Sequence, residues 1–358
     1  MSAETAGNST DDAAQAPSHR SDVAVVVVTF KRQDLLARLF DSFRAMGEQP
    51  TRIVVVDNED SPATAELVSA LRADLAPATD VVYAPQETNT GGAGGFSAGS
   101  RIAYDSGADW VWLMDDDVVV LPGALERMRR WTDRVDADLA AGVPLERTHG
   151  VLQGSRRNFD GSAFYWQYHF WTRLGIPNPV APRPFGDDEH GSRSRPMNTA
   201  CFEGGLVHRS VMQRVGLPDP RFFIYWDDTI YGYLASKVTQ PLIVSDLILQ
   251  RTRELAHHRI GTTRKLNSTS DLARYHILRN RGYMAHYLRT HGDYNPLLFG
   301  LGTAATLAKE VIRLSLAEDR RAGLSEILRG RRDARRLWRD RTWQPMPPLG
   351  ETTSTPRG

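Results

Sequence analysis

The stretch Val23-Ala-Val-Val-Val-Val-Thr29 constrains this chain more than any other. It shows no alternation of polar and apolar residues, so neither face of the strand it predicts can meet water. A strand covered on both faces belongs to a parallel sheet flanked by helices. The following residues repeat the theme. Residues 34–46 set Leu35, Leu36, Leu39, Phe40 and Phe43 on one helical stripe, which Gly47 ends. Arg52-Ile-Val-Val-Val-Asp-Asn58 is a second buried strand, a helix covers about 63–75, and Val81-Val-Tyr83 is a short third strand. Residues 87–99 open a helix to about 106, Trp110-Val-Trp-Leu-Met114 is a fourth strand, and another helix spans about 122–135. This alternation predicts an α/β fold with a doubly wound, mainly parallel sheet and helices on both faces, whose ligands sit at the carboxyl ends of the strands. Thr29, Asp57, Gly91 and the triplet Asp115, Asp116, Asp117 all fall at such ends.

Composition sets limits. With 44 basic and 43 acidic residues among 358, no global charge draws the chain to nucleic acid. Cys201 is the only cysteine, which excludes an intramolecular disulfide and a cysteine-based zinc cluster and suits the cytoplasm. No run is apolar enough to span a membrane, and the first residues lack a signal-peptide pattern. Residues 1–21 are expected to be a disordered tail, 22–270 a catalytic domain (donor half 22–135, acceptor half 136–270), 271–343 a helical region and 344–358 a loose tail. Within the acceptor half, the aromatic cluster 164–171 predicts a strand pair or a substrate-facing loop, 197–208 a strand and 210–215 a helix. Three further helices are expected over 272–290, 296–316 and 324–341.

Several groups could carry chemistry. Burial gives no reason for a strand to end on three repelling carboxylates. A cation would supply one: Asp115 and Asp117, one residue apart, can project to the same side and grip Mg²⁺ or Mn²⁺, with Asp116 facing the other way. A solvated acidic turn is the competing explanation. Gly91-Gly-Ala-Gly-Gly95 either lets backbone approach a phosphate or sugar before a helix N-terminus or is a flexible turn; it is neither a Walker loop nor a dinucleotide fingerprint. In Tyr225-Trp-Asp-Asp-Thr-Ile-Tyr-Gly-Tyr233 two carboxylates begin a helix. One can cap it, and the other can be a general base beside a sugar-compatible wall of Trp226, Tyr231 and Tyr233. His257 and His258 are a surface pair or the source of one metal-binding imidazole. His276, with Arg279 or Arg281, reaches a phosphate or lies on a solvated helical face. Arg329, Arg331, Arg332, Arg335, Arg336, Arg339 and Arg341 accompany Leu328, Leu337 and Trp338 along one helix, which suits an anionic lipid surface or plain solvation.

Taken in order, Val-Val-Thr29, Val-Asp57-Asn58, Asn89-Thr-Gly-Gly-Ala-Gly-Gly-Phe96, Leu-Met-Asp-Asp-Asp117, Trp226-Asp-Asp228 and Leu-Arg-Asn-Arg281 resemble inverting GT-A glycosyltransferases of the family 2 type. More narrowly, they resemble the actinobacterial UDP-galactofuranose transferases of cell-wall galactan synthesis, over about residues 23–287. The resemblance implies a donor site of Thr29, Asp57, Asn89, Gly91, Gly92, Gly94, Asp115 and Asp116. It implies Mn²⁺ or Mg²⁺ on Asp115, Asp117 and His258, and Asp228 as general base with Asp227 in support. Acceptor contacts would come from Trp226 and Tyr231, and phosphate contacts from His276, Arg279 and Arg281. His276 stands one place earlier than the histidine of that group, a displacement that turns a helical side chain by about 100°. The chain is shorter than the galactan polymerases and lacks their preceding β-sandwich, which implies the initiating type. Such an enzyme would move galactofuranose from UDP-galactofuranose to a polyprenyl-diphosphate-linked rhamnosyl or galactan acceptor, with a peripheral contact at the inner face of the cell membrane. A rhamnosyl- or other hexosyltransferase of the same fold is the rival enzyme, and a nucleotide-sugar-binding scaffold the rival without catalysis. Nucleic acid is not an expected partner, since Trp338 alone offers stacking beside the arginines.

Overall fold

The computed structural model describes residues 20–164, 169–178, 184–186, 189–254, 257–260, 264–267, 269–316 and 320–350, the side chains of 257–260 and 264–267 excepted. The first half runs β1 (Val23–Thr29), α1 (Gln33–Arg44), β2 (Arg52–Asp57), α2 (Pro62–Leu75), β3 (Asp80–Pro85), α3 (Gly91–Asp105), β4 (Trp110–Asp115), β5 (Val118–Val120) and α4 (Ala124–Ala140). Next come β6 (Val151–Arg157), β7 (Phe170–Trp171), β8 (Ile176–Pro177), β9 (Ser194–Pro196), β10 (Gly205–His208), α5 (Arg209–Val215), α6 (Asp227–Ala235) and β11 (Leu242–Arg251). A hairpin, β12 (His257–Ile260) and β13 (Arg264–Asn267), leads to α7 (Asp271–Arg279), α8 (Arg281–Thr290), α9 (Pro296–Ser315) and α10 (Arg320–Arg339).

One sheet orders the strands β3-β2-β1-β4-β10-β6-β11-β5, with β9 also on β11. The strands β3, β2, β1 and β4 are parallel, β10 is antiparallel to both β4 and β6, and β6 and β11 are parallel again. The missing alternation in β1 has the expected cause. Val23, Val25 and Val27 pack under α1, α2 and α4, while Ala24, Val26 and Val28 join Phe96 of α3, Val211 of α5 and Tyr231 of α6 on the other face. Register then sets the functional edge. Thr29 pairs with Asp57, and Val28 with Asp115, so three strand ends arrive together.

The structure corrects several expectations. Only Gly205–His208 of the strand expected over 197–208 is extended, because 197–204 turns away carrying Cys201 and Glu203. The helix expected over 272–290 breaks at Asn280. The helical region expected after residue 271 is present, and it packs on the preceding part of the chain: Tyr283, Met284, Tyr287 and Leu288 of α8 share one core with Ala93, Phe222 and Ile230. Nor is the end of the chain loose through residue 350. Met346 and Leu349 pack on the α3–α5 side, Met346 N–H donates to the Tyr287 hydroxyl (3.2 Å), and Tyr104 donates to the Gly350 carbonyl (3.1 Å). At the other end, Arg129 donates to the Ser21 carbonyl (2.6 Å); residues 1–19 and 351–358 lie outside the described residues.

Helix α6 touches backbone directly. A methyl on Gly232 would lie 1.9 Å from the Ala200 amide nitrogen. Gly232→Ala is therefore expected to destabilise the protein by about 1–3 kcal/mol despite alanine's better helix propensity, read as a lower urea midpoint at unchanged slope.

Candidate active site

At the carboxyl ends of β1 and β4 the three aspartates divide. Asp116 is buried and accepts from the Thr29 hydroxyl (2.8 Å) and from Arg32 (3.0 Å). Burial raises its pKa, and Arg32 and Thr29 hold the rise back. The same Arg32 nitrogen lies 3.5 Å from Asp117. Asp115 receives no hydrogen bond from a described residue. Its pKa is raised by burial first, then by Asp117, Glu203 and Asp116. Two carboxylates that repel each other, one of them without a donor, suit a hard divalent cation; such an ion takes six or more oxygens, so water or phosphate would complete its shell. Among the described residues no group of three or more His, Cys, Asp and Glu side chains could hold a metal. His257 and His258 pair with Asn267 and Leu266 in the hairpin, but their side chains, and so the metal role of His258, lie outside the described residues.

Behind Asp115 lies a buried charge network absent from the sequence reading. Glu203 accepts from Arg251 through both oxygens (2.8 Å at Oε1) and lies 3.4 Å from Arg156. The two guanidiniums sit 4.3 and 4.6 Å from the ring centre of Phe164. Arg156 also donates to the Cys201 sulfur (3.2 Å), and burial pushes that thiol up to about 12. Fields from this network reach both candidate acids, since Arg251 lowers the pKa of Asp115 and Arg156 that of Asp228.

The second strand end is organised by its own loop. Asp57, fully buried, accepts from the Glu59 and Ser61 amides and the Tyr83 hydroxyl, each at 2.9 Å. Asn58 accepts from the Thr90 amide (3.0 Å) and donates to the Gly91 carbonyl (3.2 Å), so it ties β2 to the start of α3. Asn89 accepts from the Gly91 amide (2.8 Å). The glycine run is the first turn of α3, and its second half serves packing: methyls at Gly94 and Gly95 would meet Thr90 and Val28 within 2.5 Å, as one at Gly99, a turn later, would meet Val26. Gly91 has φ +71°, and a methyl there would lie 2.1 Å from the Phe223 carbonyl oxygen. Only Gly92 of the candidate glycines faces open space.

Phe223 belongs to the segment that delivers the second acid pair. Phe223, Tyr225 and Trp226 all have left-handed φ, at 65°, 67° and 70°. Such backbone costs non-glycine residues roughly 1–3 kcal/mol each and persists where the surroundings over-determine it. Those surroundings are the Leu-Arg-Asn-Arg stretch. Asn280 donates to three carbonyls of the segment, His276 stacks on Phe223 (4.9 Å between centres), and the Trp226 indole donates to the Ile277 carbonyl (3.0 Å). Arg279 donates to His276 (2.8 Å) and to the Arg221 carbonyl; burial and Arg279 push His276 down to about 4, so it is neutral at pH 7. Arg281 spends its donors on the carbonyls of Leu174, Gly175 and Phe299 and the hydroxyls of Thr303 and Thr306. Burial pushes its guanidinium down to about 9. The phosphate role expected of Arg281 is thus displaced by a structural one, and His276 and Arg279 brace the segment. Tyr231 is corrected likewise. It is buried against Phe202 (5.7 Å between ring centres) with its hydroxyl toward the Gly216 carbonyl (3.3 Å), not on an acceptor wall.

Asp227 and Asp228 open α6. Oδ1 of Asp228 accepts from the Thr229 amide (2.6 Å) and hydroxyl (3.2 Å), leaving Oδ2 free of a described protein donor. Burial raises both carboxyls, and Asp228 raises Asp227 further. The expected division into one capping acid and one base is not seen: Asp228 itself takes the Thr229 donors, and both carboxyls are more basic than an exposed one.

The model of the Glycosyl transferase family 2 domain matches residues 24–215, spanning β1 to α5. The chain belongs to glycosyltransferase family 2. It is a glycosyltransferase, and the mainly parallel sheet with helices on both faces is the architecture the resemblance implied. Among curated relatives, the galactofuranosyltransferase GlfT1 of Mycolicibacterium smegmatis is 29% identical over 275 residues, which are 75% of this chain and 84% of that protein. GlfT1 of Mycobacterium tuberculosis is 33% identical over 216 residues, 58% of this chain and 62% of that one. Of solved structures, Staphylococcus aureus TarS 1–349 with UDP-GlcNAc aligns at a TM-score of 0.46 and 12% identity, covering 89% of this family 2 chain and 91% of TarS.

Sequence reasoning missed Arg32, Arg156, Glu203, Arg251 and Asn280 as parts of the site. Arg32 left a signal, a cation three residues past the end of β1, and Asn280 stood inside the Leu-Arg-Asn-Arg281 motif, whose arginines drew the attention; Arg156, Glu203 and Arg251 stand in unremarkable surroundings. The raised Asp227 carboxyl gives a pH test. An acid whose folded pKa exceeds its unfolded value stabilises fully below the unfolded pKa and loses that contribution as pH rises through the folded one. Asp227→Asn is therefore expected to raise the melting temperature at pH 8, by a few degrees at most, and to lose this advantage toward pH 4.

Proposed function

We propose that this glycosyltransferase moves galactofuranose from UDP-galactofuranose to a polyprenyl-diphosphate-linked rhamnosyl or galactan acceptor, with inversion, as a step in cell-wall synthesis. The observation that carries the mechanism is Asp228: a raised carboxyl at a helix N-terminus with one oxygen free of a described protein donor, in the field of Arg156, which with Arg251 flanks the buried Glu203. The two galactofuranosyltransferase relatives support the donor.

In this reading Asp228 takes the proton from an acceptor hydroxyl, whose oxygen bonds to the anomeric carbon as the bond to UDP breaks and the diphosphate leaves with the electron pair. Asp115 and Asp117 would hold Mn²⁺ or Mg²⁺, which when bound neutralises the departing diphosphate. Arg32, partly exposed and 3.5 Å from Asp117, adds a protein cation at that edge. Thr29 and Arg32 occupy Asp116, so it would be the least available of the three carboxylates to an ion, and Gly92 leaves the start of α3 open to the donor.

The lipid-linked acceptor has a matching surface. No helix among the described residues is long and apolar enough to cross a membrane. The outward side of α9 nevertheless presents Leu297 (72% exposed), Leu301 (56%), Val311 and Ile312, at spacings that keep them on one face. On α10, Leu324 and Leu328 continue into Arg331, Arg335 and Arg339 at the same helical spacing. Exposed apolar side chains beside arginines suit an in-plane contact with anionic lipid, each basic residue worth about 1 kcal/mol.

A donor panel tests the substrate: turnover is expected with UDP-galactofuranose, and use of dTDP-rhamnose alone would replace this proposal by the rhamnosyl one. EDTA should abolish transfer and Mn²⁺ or Mg²⁺ restore it. Asp228→Asn should lower kcat about 10²–10⁴-fold at nearly constant donor KM. Because Asp228 must be ionised, wild-type kcat should fall as pH drops through a value above the ordinary aspartate range near 3.9. Leu297→Glu with Leu301→Glu should weaken co-sedimentation with anionic vesicles while leaving transfer to a soluble acceptor unchanged.

A further inference from the structure

We infer that Asn280 is a positioning residue for the base: it imposes on residues 222–226 a backbone form they would not hold unaided, and that form sets where Asp228 stands. The inference rests on Asp228 being the base.

Asn280 is fully buried at the break between α7 and α8. Its amide nitrogen donates to the carbonyls of Phe222 (2.9 Å), Ile224 (2.8 Å) and Tyr225 (2.9 Å). Its own Oδ1 is buried with no partner among the described residues. Three acceptors surround the nitrogen and no donor meets the oxygen, so donation is the function of this side chain. An ionised aspartate here would face three carbonyl dipoles with negative charge.

The segment it grips is unusual throughout. Phe223, at φ 65° and ψ −59°, centres a γ-turn closed by the Ile224 amide on the Phe222 carbonyl (2.8 Å), the rare and strained hand of that turn. Tyr225 and Trp226 follow in left-handed backbone, and Trp226 is the residue from which α6 starts. The Phe223 carbonyl is held from the other side by the Ala93 amide of α3 (3.0 Å). Asn280 and α3 therefore fix both flanks of the turn, and the chain leaves it into Asp227 and Asp228 with no flexible residue between. Release of the three carbonyls lets Tyr225 and Trp226 relax to negative φ and swings the first turn of α6, displacing Oδ2 of Asp228 from the acceptor.

Steady-state kinetics and pH–rate profiles on the full chain, with UDP-galactofuranose and a synthetic rhamnosyl lipid acceptor, test this in wild type, Asn280→Ala, Asn280→Ala with Tyr225→Gly, and Asp228→Asn. Thermal melts accompany each. Glycine takes positive φ without penalty, so it removes the need for the clamp. Asn280→Ala is expected to lower kcat about 10–100-fold with donor KM little changed and the acid limb of the profile moved. Tyr225→Gly should then restore most of the loss. If Asn280→Ala does not fold, Asn280→Ser, which keeps one donor, takes its place with the same outcomes. A kcat loss that only follows the folded fraction, with the acid limb unmoved, or no restoration by Tyr225→Gly, overturns the inference. Asp228→Asn with undiminished kcat would overturn the base assignment beneath it instead.

Discussion

Like charges gathered at one sheet edge are the constraint around which this protein is arranged. The register of β1 with β2 and β4 leaves no choice about where Asp57 and Asp115 arrive, because sliding either strand by one residue would turn its buried valines or tryptophans to the wrong face. The protein answers each carboxylate differently. Asp57 is satisfied by three local donors, Asp116 by Thr29 and Arg32, and Glu203 by two arginines, whose attraction outweighs burial and lowers its pKa. Asp115 is left with the residual repulsion. A site that neutralised every acid internally would have nothing to offer a cation or a diphosphate.

The three sequence motifs meet at one short segment. Phe223 offers its carbonyl to α3, its ring to His276, and the chain direction to α6. A change in any one motif is thus felt by the others through backbone rather than through a ligand. This explains why Gly91 must be glycine although no donor is needed to account for it: its neighbour is a main-chain oxygen that cannot move without disturbing the acids.

The fold was legible in the sequence because burial leaves a pattern. The runs 23–29, 52–57 and 110–114 could only be covered strands, and the stripe from Leu35 to Phe43 could only be an amphipathic helix. The candidate residue types stood out as well, since Asp115 to Asp117 and Asp227-Asp228 are clustered carboxylates in apolar surroundings, although an acidic turn or a helix cap would give the same letters. What the sequence hid was division of labour. Arg279 and Arg281 sit two residues apart in a motif with a cationic look, yet both turn inward, because the C-terminal helices complete the core. Tyr231 reads as a sugar-facing ring beside two acids, but α6 turns it toward Phe202. Arg156 and Glu203 lie 47 positions apart, and nothing local announces their meeting. The same distance effect concealed Asn280, whose partners are 55–58 positions earlier in the chain.

Burial of Asp228 acts in two directions. It makes the ionised form costly and so subtracts from stability at neutral pH, yet the same cost makes the carboxylate a stronger base than an exposed one. The helix N-terminus, the Thr229 donors and Arg156 all pull the other way. For the base role proposed for Asp228, a pull that won outright would leave the group ionised but weakly basic, and without that pull burial would favour the protonated form. Thr229 also fixes which oxygen is spent, so the remaining Oδ2 keeps a defined direction. The field of Arg156 is itself shared with Glu203 and the Cys201 sulfur, which moderates what reaches Asp228. The basicity of the acid is therefore set first by its burial and by the Thr229 donors of its own motif, with the field of Arg156 on β6 added from a part of the chain where no motif stands.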